Sequence, residues 1–172
     1  MKEQDHNNAW GFTLFVDDVR QEIGGKLSLM GLYQAEMLLP ANLTFPVNIA
    51  KLCLMVMYYE KKGSLSDDIT FKITFGEQEQ PLLEFTILRA DITGPPETAS
   101  PADLLPGDKE RVLHSRLPIV LSPFLIPGVG RLRVRAHYTD GSVLKLGSIA
   151  IRTVPVDEFN KATAGSPIPN PT

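Results

Sequence analysis

Apolar and polar residues take turns one for one along much of this chain. Ile69, Phe71, Ile73 and Phe75 alternate with Thr70, Lys72 and Thr74. Leu132, Val134, Ala136 and Tyr138 alternate with Arg131, Arg133, Arg135 and His137, and Leu83, Phe85 and Ile87 with Glu84 and Thr86. A period of two puts one set of side chains on each face of an extended strand, so each series predicts a half-buried β-strand. Residues 12–16 are nearly all apolar. Residues 26–33 carry Leu27, Leu29 and Tyr33, with Gly31 between them. Residues 49–59 are apolar on both faces, which predicts a central strand. Segments 111–121 and 143–154 bring the count to eight or nine.

The punctuation agrees with strands. Asp140-Gly141 separates two alternating runs, a strong hairpin signal, and Gly24-Gly25, Lys62-Gly63 and Gly128 mark further turns. The one helical signal is short: Ser100 as N-cap, Pro101, then Asp103, with a stop at Pro106-Gly107, inside a long loop over 90–110. The pattern predicts an all-β, antiparallel β-sandwich of the immunoglobulin/C2-like kind. Residues 1–8 are polar and 164–172 proline-rich. The expected organisation is a disordered N-terminus over 1–8, a single sandwich domain over 9–156 and a flexible tail over 157–172.

Composition narrows the function classes. Of 172 residues, 43% are hydrophobic and 22% charged, and the formal net charge is −3. A phosphate-binding domain normally carries a positive excess, so the balance argues against nucleic acid. No apolar run reaches the roughly 20 residues of a membrane span, and nothing at the N-terminus has the order of a signal peptide. The reading is a cytoplasmic protein with no membrane anchor. The lone Cys53 lies in an apolar run, where a thiol packs as a small hydrophobe. The three histidines, His6, His114 and His137, have no metal-ligand spacing, and His114 and His137 fall in predicted strands.

Catalytic signatures are absent. Gly25-Lys26 fails as a phosphate loop because Arg20 stands at the first glycine position and Leu27 at the Ser/Thr position. Gly147-Ser148 has no second glycine of a nucleophile elbow. Three constellations remain. Asp17, Asp18, Arg20 and Glu22 form an acidic–basic knot, expected to fix the loop after the first strand through an Arg20 pair with Asp18 or Glu22. If strands simply run up and down in turn, Asp17, Asp18, Asp67, Asp68, Asp91, Asp103, Asp108 and Asp140 share one pole. Within that cluster Asp17, Asp67, Asp68 and Asp140 are the candidate metal ligands of a C2-type calcium site. Solvated turns are favoured over that reading, and no metal or cofactor is expected. Finally, Arg131, Arg133, Arg135 and His137 line one strand face. Such a stripe is a solvated face, a guard on an edge strand, or a dock for an acidic protein or polyanion.

Residues 17–22, Asp-Asp-Val-Arg-Gln-Glu, followed by Gly25-Lys26 through Gly31-Leu32-Tyr33 and later Pro127-Gly128 through Asp140-Gly141, carry a resemblance. The chain resembles a mostly bacterial family filed as a domain of unknown function, over about residues 10–152. That resemblance implies a sandwich and supplies no activity. The expectation is a non-enzymatic binding or structural module, with a protein partner or self-association. A calcium- or membrane-surface-binding C2-like domain and an enzyme of unrecognised type stand behind it.

Overall fold

The computed structural model describes residues 9–61, 68–77, 80–88 and 112–163. Eleven strands are present among them: β1 (Ala9–Gln21), β2 (Leu27–Tyr33), β3 (Glu36–Pro40), β4 (Val47–Ile49), β5 (Leu52–Lys61), β6 (Ile69–Phe75), β7 (Leu83–Ile87), β8 (Val112–Leu121), β9 (Phe124–Ile126), β10 (Gly130–Tyr138) and β11 (Val143–Val154). They form a four-stranded sheet β2-β1-β5-β8, a five-stranded sheet β3-β11-β10-β6-β7 and a small sheet β4-β9. The all-β sandwich is thus observed, with β5 in the interior of its sheet as its two-faced apolar pattern demands.

Both large sheets contribute to one apolar interior. Phe15, Leu54, Val56 and Ile119 enter from the four-stranded sheet, and Phe71, Ile73, Leu132, Val134, Ile149 and Ile151 from the other. Phe124 and Ile126 of β9 join the same core. The alternation in β6 and β10 translates directly into burial, because every second residue is buried. Phe71 stacks on Phe85 at 5.3 Å and meets Tyr58 edge-on at 5.9 Å, geometries that suit the ring quadrupoles. Burying side chains of this size contributes about 1.5–3 kcal/mol each.

Close approach of the sheets is set by glycine. A β-carbon at Gly11 of β1 would stand 2.4 Å from the Met57 carbonyl oxygen and 2.6 Å from the Leu146 side chain of β11. The Asp140-Gly141 hairpin forms as expected. Gly141 has φ +84°, and its N–H donates to the Tyr138 carbonyl at 3.0 Å.

Three departures have physical causes. β3 pairs with β11 in parallel, from Glu36 opposite Ala150 to Pro40 opposite Val154, so the sandwich is not purely antiparallel. The segment between β2 and β5 holds two short strands that cross to other sheets, and their brevity hides them in the sequence. The expected tail begins instead with a helix, α1 (Val156–Thr163), with Asp157 and Glu158 in its first turn and Lys161 in its last. Those charges complement the helix dipole. The helical turn expected around Ser100 lies outside the described residues.

Candidate functional site: two opposed sheet faces

The Asp17-Asp18 knot is real, and it points two ways. Successive residues of a strand face opposite sides. Asp17 turns toward the interior rim, where the Tyr33 hydroxyl donates to its Oδ1 at 2.6 Å. Burial and then the Asp17 carboxylate push the Tyr33 phenol above its ordinary range. Gly31, at φ +65°, fits against this carboxyl, since a β-carbon there would stand 1.9 Å from Asp17 Oδ2. Asp18 turns outward and accepts from Lys51 Nζ at 2.6 Å, Arg20 Nε at 3.2 Å and the Val19 N–H at 2.9 Å. The hydrogen bond from Lys51, then that from Arg20, holds the Asp18 carboxyl below its usual value. Glu22 contributes its backbone N–H to the Lys26 carbonyl, whereas the Arg20 partner is Asp18, through one nitrogen rather than a fork. Sequence reasoning missed Lys51, which lies over thirty residues away and meets Asp18 only through the β1–β5 pairing.

The single acidic pole does not form. Ala9 at the start of β1 pairs with Glu60 near the end of β5, and Val16 pairs with Cys53 near its start. The chain leaves β1 and β5 at opposite ends of the sheet. Asp68 and Asp140 go with the far end, because Ile69 pairs with Tyr138, whose hydroxyl meets that of Tyr58 at 3.3 Å. At 3.2–3.4 Å per residue the eight positions from Lys51 to Tyr59 span about 25 Å. Asp17 and Asp18 are therefore that far from Asp68, Asp140 and His114, the last paired with Tyr59. Up-and-down alternation fails because β3 and β4 reverse the chain between β2 and β5. Asp140 is occupied by the Ser142 N–H at 2.9 Å and by the Ser142 hydroxyl, and Asp67 lies outside the described residues. Among the described residues no group of three His, Cys, Asp or Glu side chains is placed to hold a metal ion.

Arg131, Arg133, Arg135 and His137 do share one face, the outer face of the five-stranded sheet. β10 is the third of five strands, so the stripe guards no edge. Neighbouring strands add Lys72, Lys145 and Arg152. Lys72 pairs with Glu84 at 3.1 Å and Arg152 with Glu36 at 2.9 Å. Two of the three β10 arginines have neutral acceptors instead: Arg131 Nη1 donates to Ser148 Oγ at 2.9 Å and Arg133 Nη1 to the Gly76 carbonyl. Partial burial, then Lys72 and Arg135, lowers the His137 imidazole below its usual value. A shallow depression of about 340 Å³ sits beside it, lined by Asp68, Thr70, Lys72, Glu84, Thr86 and Thr139.

Sequence reasoning missed the opposite surface. On the outer face of the four-stranded sheet, Trp10, Tyr59 and His114 stand side by side across β1, β5 and β8. Trp10 and Tyr59 stack with centroids 5.6 Å apart and planes 5° from parallel, and Tyr59 and His114 at 4.6 Å and 0°. On the same face Trp10 and Phe12 are 43% and 46% exposed in and beside this three-ring ladder, and Met30, Leu32 and Val120, toward the other end of the sheet, are 43%, 57% and 55% exposed. Beneath them Val16, Cys53 and Met55 are buried, although they lie outside the main core. Among the described residues the ionisable side chains of this face are Asp18, Arg20 and Lys51 toward one end of the sheet and Lys61, His114 and Arg116 toward the other. The sequence signal was present: β1 and β5 are apolar on both faces, and the one helix among the described residues has eight residues.

No helix among the described residues is long and apolar enough to cross a membrane. No family model, curated protein or solved structure matches this chain, and the two opposed faces carry the functional reading.

Proposed function

We propose that this chain is a protein-docking module rather than an enzyme, and that it docks through the outer face of the four-stranded sheet. The carrying observation is the row of exposed large apolar side chains on that face, Trp10, Phe12, Met30, Leu32 and Val120, with the stacked Trp10–Tyr59–His114 ladder at one end. Exposed apolar side chains gathered on one face, with charge toward its ends, are the signature of an interaction site. Aromatic and methionine side chains supply most of the contact energy in such interfaces. The side chains project from a flat sheet face rather than from loop tips, which suits another protein surface better than insertion into a bilayer. Against chemistry stands the separation of Asp17 and Asp18 from each other and from His114. The acidic pole on which the C2-type calcium reading rested is split between the two ends of the sandwich.

The test compares wild type with a Phe12→Lys, Leu32→Lys double variant by sedimentation and by purification from the native host. Wild type is expected to form a dimer or hold one stoichiometric partner. The variant is expected to lose it at an unchanged melting temperature. A wild-type chain that stays monomeric and partner-free throughout would sink the reading.

A further inference from the structure

Among the described residues the outer face of the five-stranded sheet carries six cations, Lys72, Arg131, Arg133, Arg135, Lys145 and Arg152, against three carboxylates, Glu36, Glu84 and, at one end, Asp68. This excess sits on a chain whose net charge is −3. Glu84 and Glu36 are engaged by cations of neighbouring strands, Lys72 and Arg152, at either side of the stripe. Among the described residues no carboxylate forms an ion pair with the three β10 arginines, and two of them are steadied by neutral acceptors. Like charges gathered on one strand cost stability. Neutral acceptors hold a guanidinium in place while leaving its charge for a visitor.

We propose that this face is a second docking surface, and that its occupant is an acidic stretch of protein in extended conformation. Alternate residues of β10 repeat at about 6.7 Å. An extended segment with carboxylates on alternate residues has the same repeat, so each guanidinium meets one carboxylate in a planar fork. A single-stranded nucleic acid also offers anions at a strand-like spacing, but it depends on aromatic platforms for its bases. Apart from the His137 imidazole, this face has no aromatic side chain among its described outward residues, and Trp10 and Tyr59 lie on the opposite sheet. The proposal stands independently of the apolar face.

The experiment measures binding of the full chain to a short labelled peptide of alternating glutamate and threonine. The comparison probes are its glutamine counterpart and an oligothymidylate. The glutamate peptide is expected to bind, and to weaken as salt is raised. The combined Arg131→Gln, Arg133→Gln, Arg135→Gln variant is expected to lose at least about tenfold in affinity. Arg135→Gln alone, which breaks no hydrogen bond or ion pair to a described residue, serves if the triple variant fails to fold, and is expected to lose about threefold. The Phe12→Lys, Leu32→Lys variant is expected to bind the peptide as wild type does, which separates this proposal from the first. Nuclear magnetic resonance would show the His137 imidazole titrating at higher pH when the peptide is bound. Equal binding of the glutamine peptide, tighter binding of the oligothymidylate, or unchanged affinity in both arginine variants would overturn the proposal.

Discussion

Gly31 shows how one residue ties two distant pieces of sequence together. Its φ of +65° and the Asp17 carboxyl beside its missing β-carbon leave room for no other residue. Gly31→Ala is expected to cost about 1–3 kcal/mol in urea unfolding, from backbone strain and a displaced Asp17. The Tyr33–Asp17 hydrogen bond should weaken with it. Tyr58 is the second such residue. It is buried, donates to Glu60 Oε2 at 2.9 Å and meets Tyr138 across the sandwich. Tyr58→Phe removes one donor from a buried carboxylate and is expected to cost about 1–3 kcal/mol. Unfolding midpoints that match wild type would show that the hydroxyl contributes nothing. The Asp18–Arg20 pair was legible because its partners are two residues apart. Lys51 was not, because only the sheet register brings it to Asp18.

Among the elements, β1 carries the most information. Gly11 lets β11 approach, so Gly11→Ala must push Leu146 or the backbone of β5 aside, at a cost of about 1–3 kcal/mol. A melting temperature equal to that of wild type would refute this account. Strands with strict alternation, β6 and β10, were legible down to individual buried residues, because period and burial are the same physical fact. β5 was legible as central. The second consequence of its pattern, apolar side chains exposed on the outer face of its sheet, needed the register with β1, β2 and β8. β3 and β4 were not legible. They are five and three residues long, and their partners lie far away in sequence. Missing them reversed the inferred direction of every later strand, and the acidic pole fell with that inference.

For the whole molecule, the hydroxyl pair of Tyr58 and Tyr138 links stability to pH. Burial raises both phenols, and Tyr138 is pushed up to about 12 from an ordinary 10.0. Tyr33 shifts in the same direction. The unfolded chain therefore releases these protons before the folded chain does. Their contribution is complete below pH about 10 and is lost as pH rises from there through 12. Melting temperature is expected to fall over that window, and to fall less steeply in Tyr138→Phe. A slope unchanged by that substitution would show that the phenol does not report on unfolding.

The parallel edge of the five-stranded sheet also dictates an order of events during synthesis. Glu36 and Arg152, joined across that edge, are 116 residues apart. A ribosome adding roughly 5–20 residues per second takes on the order of ten seconds to traverse that gap. Met37 and Leu39 must wait unsheltered until the last strand emerges. The β1–β2 pairing, by contrast, can close as soon as Tyr33 has emerged. The nascent chain thus passes through a stage in which a sticky fragment of its own core needs shielding, and a stop codon placed before β11 would leave that fragment permanently exposed.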